Sequence, residues 1–334
     1  MAEALSVRIA GRPLAQGPPP DPRAYELYLT GRQLFALRSE ASLRRAIEYF
    51  EQALALSPSY APALTGIADV LLTRSVLGFD TDPAGIERAR EAAQAAVRSD
   101  PSLGAAYASL GRLEYAGGRW NWKEAEAHLL HAIELDPGYA DAHRGYAYVL
   151  IFQARVEEGL AEMQRALALD PLSPLVLWNA GRFAWMTGDH ERAIELLRRA
   201  VDLSPQAPEP RRVLADAYAI AGRDQESAET ILAGVPAPAQ AELRSAYEAG
   251  GLKALLERQL RLEQERTGKP CGSRATVAAS YYAQLGDAEG VFRCLQEEAR
   301  LGQLLTFVPL NPFFAPYRSD PRYAAYLEAM NLGE

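Results

Sequence analysis

Three segments of the chain end alike, AIELDPGYA, ALALDPLSP and AVDLSPQAP, and their prolines Pro137, Pro171 and Pro205 recur every 34 residues. Proline stops a helix, because its ring removes a backbone N–H and clashes with the turn before it. A period of this size, closed each time by a helix-stopping residue, describes a helix–turn–helix hairpin copied along the chain. Such a unit cannot bury its apolar face alone and must stack on its neighbours.

From Pro22 onward the copies can be read in register. A first helix carries a small residue where the hairpin packs closest. A second helix carries three core residues at spacing four then three, which places them on one face. The first-helix small residues are Gly31, Ala68, Gly111, Ala147 and Gly181. The second-helix sets are Ala46, Phe50, Ala53; Ala89, Ala93, Ala96; Ala125, Leu129, Ala132; Gly159, Met163, Ala166; and Ala193, Leu197, Ala200. A sixth copy holds Ser227, Ile231 and Gly234 and has no proline in register. The second copy has a long connection, SVLGFDTDPAG, whose Leu77 and Phe79 are expected to fold back.

Beyond Pro236 the register loosens into two degenerate hairpins, the first broken at Gly250-Gly251. An aromatic, proline-rich end follows, and Phe307, Phe313, Phe314 and Tyr317 are assigned to a cap over the last apolar face. The expected architecture is all-α, a right-handed α-solenoid with a C-terminal cap. Residues 1–21 form an arm and proline-rich linker, 22–235 six repeats, 236–300 the degenerate hairpins and 301–334 the cap. The short helix read at residues 2–10 is expected to be the tail of an upstream domain.

Composition narrows the function. Apolar residues make up 49% of the 334, enough for a sizeable core, and the formal net charge is −8. That balance argues against direct contact with nucleic acid, which calls for an excess of Lys and Arg. The two cysteines, Cys271 and Cys294, lack CxxC spacing and are expected to be free thiols in a reducing cytoplasm. No apolar run approaches the ~18 residues that span a bilayer, and the first residues lack a signal-peptide apolar core. No membrane partner is expected.

The repeat pattern resembles the tetratricopeptide repeat. Further segments, AYELYLTGR (24–32), AIEYFEQALALSPSYAPAL (46–64), RWNW (119–122), ALALDPLSP (166–174) and YRSDPRYAAYLEAMNL (317–332), resemble the C-terminal tetratricopeptide region of bacterial multidomain signalling regulators. In those regulators the upstream module is a winged-helix domain, an adenylate cyclase or a Ser/Thr kinase. The resemblance implies a protein-binding role in signalling or transcriptional regulation.

Chemistry is sparse. His128, His131 and His143 lie near one another in sequence, but no carboxylate or cysteine falls at ligand spacing, so no metal is expected. No nucleophile–base set, GxSxG elbow or phosphate-binding glycine loop is present. Neither catalysis nor a cofactor is expected.

What remains is the inner face, which the repeat resemblance assigns to alternate turns of the first helices. Copy one contributes Tyr28, Arg32 and Phe35, copy three Arg112 and Tyr115, and copy four Arg144, Tyr148 and Phe152. Copy five contributes Trp178, Arg182 and Trp185, and copy six Arg212. Asp69 and Asp216 fall on the same face. Arginine and large aromatics are the types enriched at binding hot spots, and guanidinium suits carboxylates. The expected partner is a protein or peptide segment carrying acidic and apolar residues. Two other readings stand beside it: a metabolite held between Trp178, Trp185 and Arg144, and a self-association module. A third leaves the face structural, its arginines paired with acids of neighbouring helices. Charge reversal at Arg144 and Arg182 is expected to abolish partner capture without unfolding the chain.

Overall fold

The computed structural model describes residues 21–80, 82–116, 121–301 and 308–330. The arm at 1–20, Trp120 and Phe307 lie outside them. The chain divides into two compact units, Met1–Val176 and Leu177–Glu334. Among the described residues the regular structure is entirely helical.

Unit 1 holds α1 (Pro22–Ala36), α2 (Glu40–Leu56), α3 (Ala61–Val76), α4 (Pro83–Ser99), α5 (Gly104–Ala116), α6 (Trp122–Leu135), α7 (Ala140–Phe152) and α8 (Val156–Leu169). They pack as consecutive hairpins, α1 on α2 through α7 on α8. Helix starts follow local chemistry. Asp21, Asp82 and Asn121 accept from the N–H groups of Arg23, Ala84 and Glu124, and Ser39 and Ser42 form a reciprocal capping box.

The second helices stop by one mechanism. Ser57, Asp100, Asp136 and Asp170 precede the recurring prolines and adopt extended or near-extended backbone, with φ between −145° and −138°. A following proline disfavours the α region for the residue before it. Each of these residues still returns its N–H to the carbonyl four back, on Ala53, Ala96, Ala132 and Ala166. These are the third core residues of the sequence pattern, so the last turn closes over the face that is buried.

That face is buried as expected: Ala46, Phe50, Ala53, Ala89, Ala93, Ala96, Ala125, Leu129, Ala132, Met163 and Ala166 are all at most 2% exposed. The glycine opposite is needed for contact. A Cβ on Gly31 would lie 2.5 Å from Phe50 Cε1, and one on Gly111 would lie 2.7 Å from Leu129 Cγ. Leu77 is buried and Phe79 packs on the same cluster as Phe50, so the long connection folds back.

Unit 2 takes up α9 (Pro174–Met186) from Leu177, followed by α10 (His190–Leu203), α11 (Pro208–Ile220) and α12 (Asp224–Leu232). Then come α13 (Ala237–Thr267), α14 (Ala275–Leu285), α15 (Ala288–Leu301), two 3-10 turns (Val308–Leu310 and Pro312–Tyr317) and α16 (Pro321–Ala329). Ala193, Leu197 and Ala200 are fully buried, and Ser204 before Pro205 repeats the extended exit. α13 is kinked at Gly250-Gly251, where Gly251 has φ 67° and ψ −160°, a region closed to residues with a Cβ. Phe314 is fully buried, and Asn311 donates to Ser280 Oγ at 3.2 Å.

Cys271 and Cys294 are not free thiols but a disulfide, with Cα atoms 5.5 Å apart. They are 23 residues apart in sequence. The α14–α15 hairpin brings the loop before α14 beside the middle of α15, an approach that cysteine spacing does not reveal. Among the described residues no helix is long and apolar enough to cross a membrane.

Candidate partner-binding face

In unit 1 the first helices α1, α3, α5 and α7 lie side by side, so equivalent register positions form a row. Charge alternates along it. Arg112 of α5 donates to Asp69 of α3, which also accepts from Ser109 Oγ. Arg112 Nη1 lies 3.4 Å from Asp141 Oδ2 on α7, and Asp141 Oδ1 accepts from Arg144 Nε at 2.7 Å. On α1, Arg32 donates to the Tyr28 hydroxyl at 3.3 Å. Burial works against the Arg32 charge, but Tyr28, Tyr139 and Asp69 outweigh it and hold its pKa above the ordinary value. The order Arg32, Asp69, Arg112, Asp141, Arg144 is a buried or half-buried row in which each anion sits between cations.

Aromatic rings run beside that row. The Tyr115 ring stacks on Trp122 at 6.2 Å and on Tyr148 at 6.1 Å, and Trp122 meets Phe152 at 4.8 Å. The Arg144 guanidinium lies 5.8 Å from the Tyr148 ring centre. Burial pushes the Tyr115 hydroxyl up to about 12. Arg112, Tyr115, Arg144 and Tyr148 are buried, whereas Tyr28, Arg32, Phe35 and Phe152 are half-exposed.

In unit 2, Trp178, Arg182 and Trp185 of α9 are buried, with the Arg182 guanidinium 5.8 Å from the Trp178 ring. Trp185 meets Phe313 of the C-terminal turn at 5.9 Å, so the chain covers it with its own segment. Arg212 pairs with Asp216 at 2.7 Å. Burial pushes the Asp216 carboxyl up to about 6, against the pull of Arg212 and Gln284.

The arginines named from the sequence in unit 1 fall in one row, and Tyr115, Tyr148 and Phe152 lie beside it, whereas Tyr28 and Phe35 pack on the Phe50 cluster. Sequence register does not point to Asp141 or Trp122, nor to the contact that Phe313, assigned to the cap, makes with Trp185. Asp141 is three residues before Arg144, one helical turn, and that spacing is the signal that could have found it. Trp122 and Phe313 come from a second helix and a late turn, with no register signal.

His143 is buried, with Nδ1 2.6 Å from Glu162 and Nε2 3.0 Å from the Pro137 carbonyl. It ties a proline turn to α8. His131 contacts Glu134 at 3.1 Å on an exposed surface, and its ring meets Tyr107 edge-on at 4.5 Å. Among the described residues no three His, Cys, Asp or Glu side chains converge as a metal site.

Two family profiles, each described as Tetratricopeptide repeat, match residues 147–208 and 184–250. The chain is 34% identical over 140 residues to the type IV pilus assembly protein PilF of Pseudomonas aeruginosa, a match covering 41% of this chain and 50% of PilF. It is 33% identical over 88 residues to the tetratricopeptide repeat-containing protein trd-1 of Caenorhabditis elegans, covering 26% of this chain and 11% of that protein. The chain therefore spans half or less of the curated relatives it matches. Among solved structures, an IFIT1 monomeric mutant with Gppp-AAAA superposes at a TM-score of 0.55 and 15% identity, covering 92% of this chain and 71% of that one. That likeness carries the fold alone. The chain thus carries tetratricopeptide repeats over residues 147–250, in an all-α fold of the α-solenoid class.

Proposed function

We propose that this protein is a non-catalytic scaffold that holds a segment of a protein partner against its row of first helices. The observation that carries this reading is a difference in burial along that row. Arg112, Asp69, Asp141 and Arg144 neutralise one another, while Arg32 and Phe152 stay half-buried beside them and the half-buried Tyr28 and Phe35 rest on the Phe50 cluster. A surface set on a rigid charged row is preorganised, which lowers the ordering cost of binding. In this reading Arg112, Tyr115, Arg144 and Tyr148 support the face of unit 1, and Trp178, Arg182, Trp185 and Arg212 support a face of unit 2. The half-buried Arg32 meets an acidic group of the partner. A scaffold role fits a relative named as a pilus assembly protein.

The organisation proposed with it is six repeats over 22–235, two degenerate hairpins over 236–300 and a capping segment over 301–334. The proposed setting is a bacterial signalling or regulatory assembly. The Cys271–Cys294 disulfide removes the support that free thiols would lend to a cytoplasmic location. Thiol trapping in intact cells tests the compartment.

Burial of Arg144 and Arg182 makes their reversal a test of folding rather than of binding. The informative variant is Arg32→Glu combined with Phe152→Ala. It is expected to lose partners captured by cross-linking to the wild type while its melting temperature stays close. Retention of the same partners by the folded variant defeats the proposal. Sedimentation of the purified chain decides the self-association reading, which a strict monomer at high concentration rules out.

A further inference from the structure

The core pattern fails at its sixth copy, and the failure leaves a space. Earlier second helices bury three apolar residues and end before a proline. Here Ser227 is buried with its hydroxyl donating to the Ala215 carbonyl at 2.9 Å, but Ile231 is half-buried and Gly234 exposed. The helix that follows, α13, is long and kinked rather than another copy. Inside unit 2, among α11, α12, α13 and α14, lies a cavity of about 390 Å³. That is in the range of small-molecule sites. Its walls are largely apolar, with Ala215, Ile231, Val235, Leu243, Leu260 and Val277 among them.

Four guanidinium groups share those walls: Arg211, Arg212, Arg266 and Arg274. Three have a carboxylate. Arg212 pairs with Asp216 at 2.7 Å, Arg266 with Glu263 at 2.6 Å and Arg274 with Glu209 at 2.9 Å. The fourth, Arg211, donates to the neutral Pro205 carbonyl at 2.7 Å and pairs with no carboxylate among the described residues. The Nε atoms of Arg212 and Arg274 are buried without an acceptor, and Gln259 Oε1 is buried without a donor. Four cations against three anions leave one positive charge beside an apolar cavity, in a chain whose net charge is −8.

We propose that this cavity binds a small monoanionic amphiphile, a carboxylate on an apolar chain. At about 30 Å³ for each water-sized group, the space accommodates about a dozen non-hydrogen atoms. The head group engages Arg211 and an unused N–H of Arg212 or Arg274, since guanidinium–carboxylate bonds are the strong ones. Gln259 donates to the Tyr281 hydroxyl at 3.4 Å, and turning its amide offers the head a further donor. The chain lies on the apolar walls. One unmatched charge favours a carboxylate over a phosphate monoester, which carries about two at neutral pH. Glu263, also in the wall, is already engaged by Arg266 and Ser273.

The test is calorimetric titration of the full, disulfide-intact chain with decanoate and, separately, with 1-decanol. Decanoate is expected to bind one site per chain, at least about tenfold tighter than the alcohol, the size of one charge-assisted bond. Arg211→Ala is expected to weaken decanoate about tenfold and leave 1-decanol unchanged. Ala239→Trp, at a half-buried wall position, is expected to abolish both. Equal affinity for acid and alcohol, an Arg211→Ala chain with undiminished decanoate binding, or no saturable binding by the folded protein overturns the proposal. If Ala239→Trp fails to fold, Arg211→Ala still decides, because that side chain is half-exposed and outside any ion pair.

Discussion

Arg112 and Asp69, 43 residues apart in sequence, share a buried hydrogen bond between adjacent first helices. The charges sit at the contact between consecutive hairpins, where the sequence pattern alone suggests a surface for a partner. Desolvating both groups is costly, and the bond offsets that cost only while both partners remain.

Asp69→Ala should therefore destabilise the protein by about 3 kcal/mol, since it leaves buried Arg112 with a 3.2 Å bond to the neutral Ser109 Oγ and a 3.4 Å contact to Asp141. The double variant Asp69→Leu with Arg112→Met should recover most of that loss, because apolar groups of similar volume need no partner. Urea denaturation of the three chains checks this. If Asp69→Ala unfolds at the wild-type midpoint, the row is not a stabilising element.

The Cys271–Cys294 bond closes a loop spanning α14 and ties it to α15. Loop closure of this size restricts the unfolded chain by about 3 kcal/mol. Reduction, or Cys271→Ala with Cys294→Ala, should lower the melting temperature accordingly. The two treatments should agree. Two thiols titrated before any reductant is added contradict the pairing, and a melting curve unmoved by full reduction contradicts its contribution to stability.

Asp216 gives a pH signature. Its folded pKa, about 6, lies above the ordinary 3.8 because burial disfavours the charged form. The folded state therefore holds the proton more tightly than the unfolded chain. The contribution is complete below pH 3.8 and is lost as pH rises through about 6, by on the order of 2–3 kcal/mol. Asp216→Asn cannot ionise, so it should gain stability relative to the wild type as pH climbs from about 4 to about 6, and track it above. Denaturation midpoints across that window measure the difference. A constant difference would show that Asp216 titrates alike in both states.

Much of the fold was legible because its causes are local. A proline acts on the residue before it, and so the exits at Ser57, Asp100, Asp136, Asp170 and Ser204 could be read from position. The i, i+4, i+7 sets act within two turns of one helix, and Gly31 and Gly111 declared the close approach of the next. The face was half-legible. Register put Arg112, Arg144 and Asp69 on it, but register does not state how close neighbouring helices come.

Sequence by itself determined which segments are helical, where each hairpin stops and which face it buries, since these follow from backbone sterics and short-range periodicity. Only the tertiary structure decided that Arg112 is spent on Asp69, that Phe313 covers Trp185, and that Cys271 meets Cys294. It also decided that the lapse at Ile231 and Gly234 opens a cavity beside Arg211. Each depends on distances between segments far apart in the chain, set by the packing of whole helices rather than by any spacing within one.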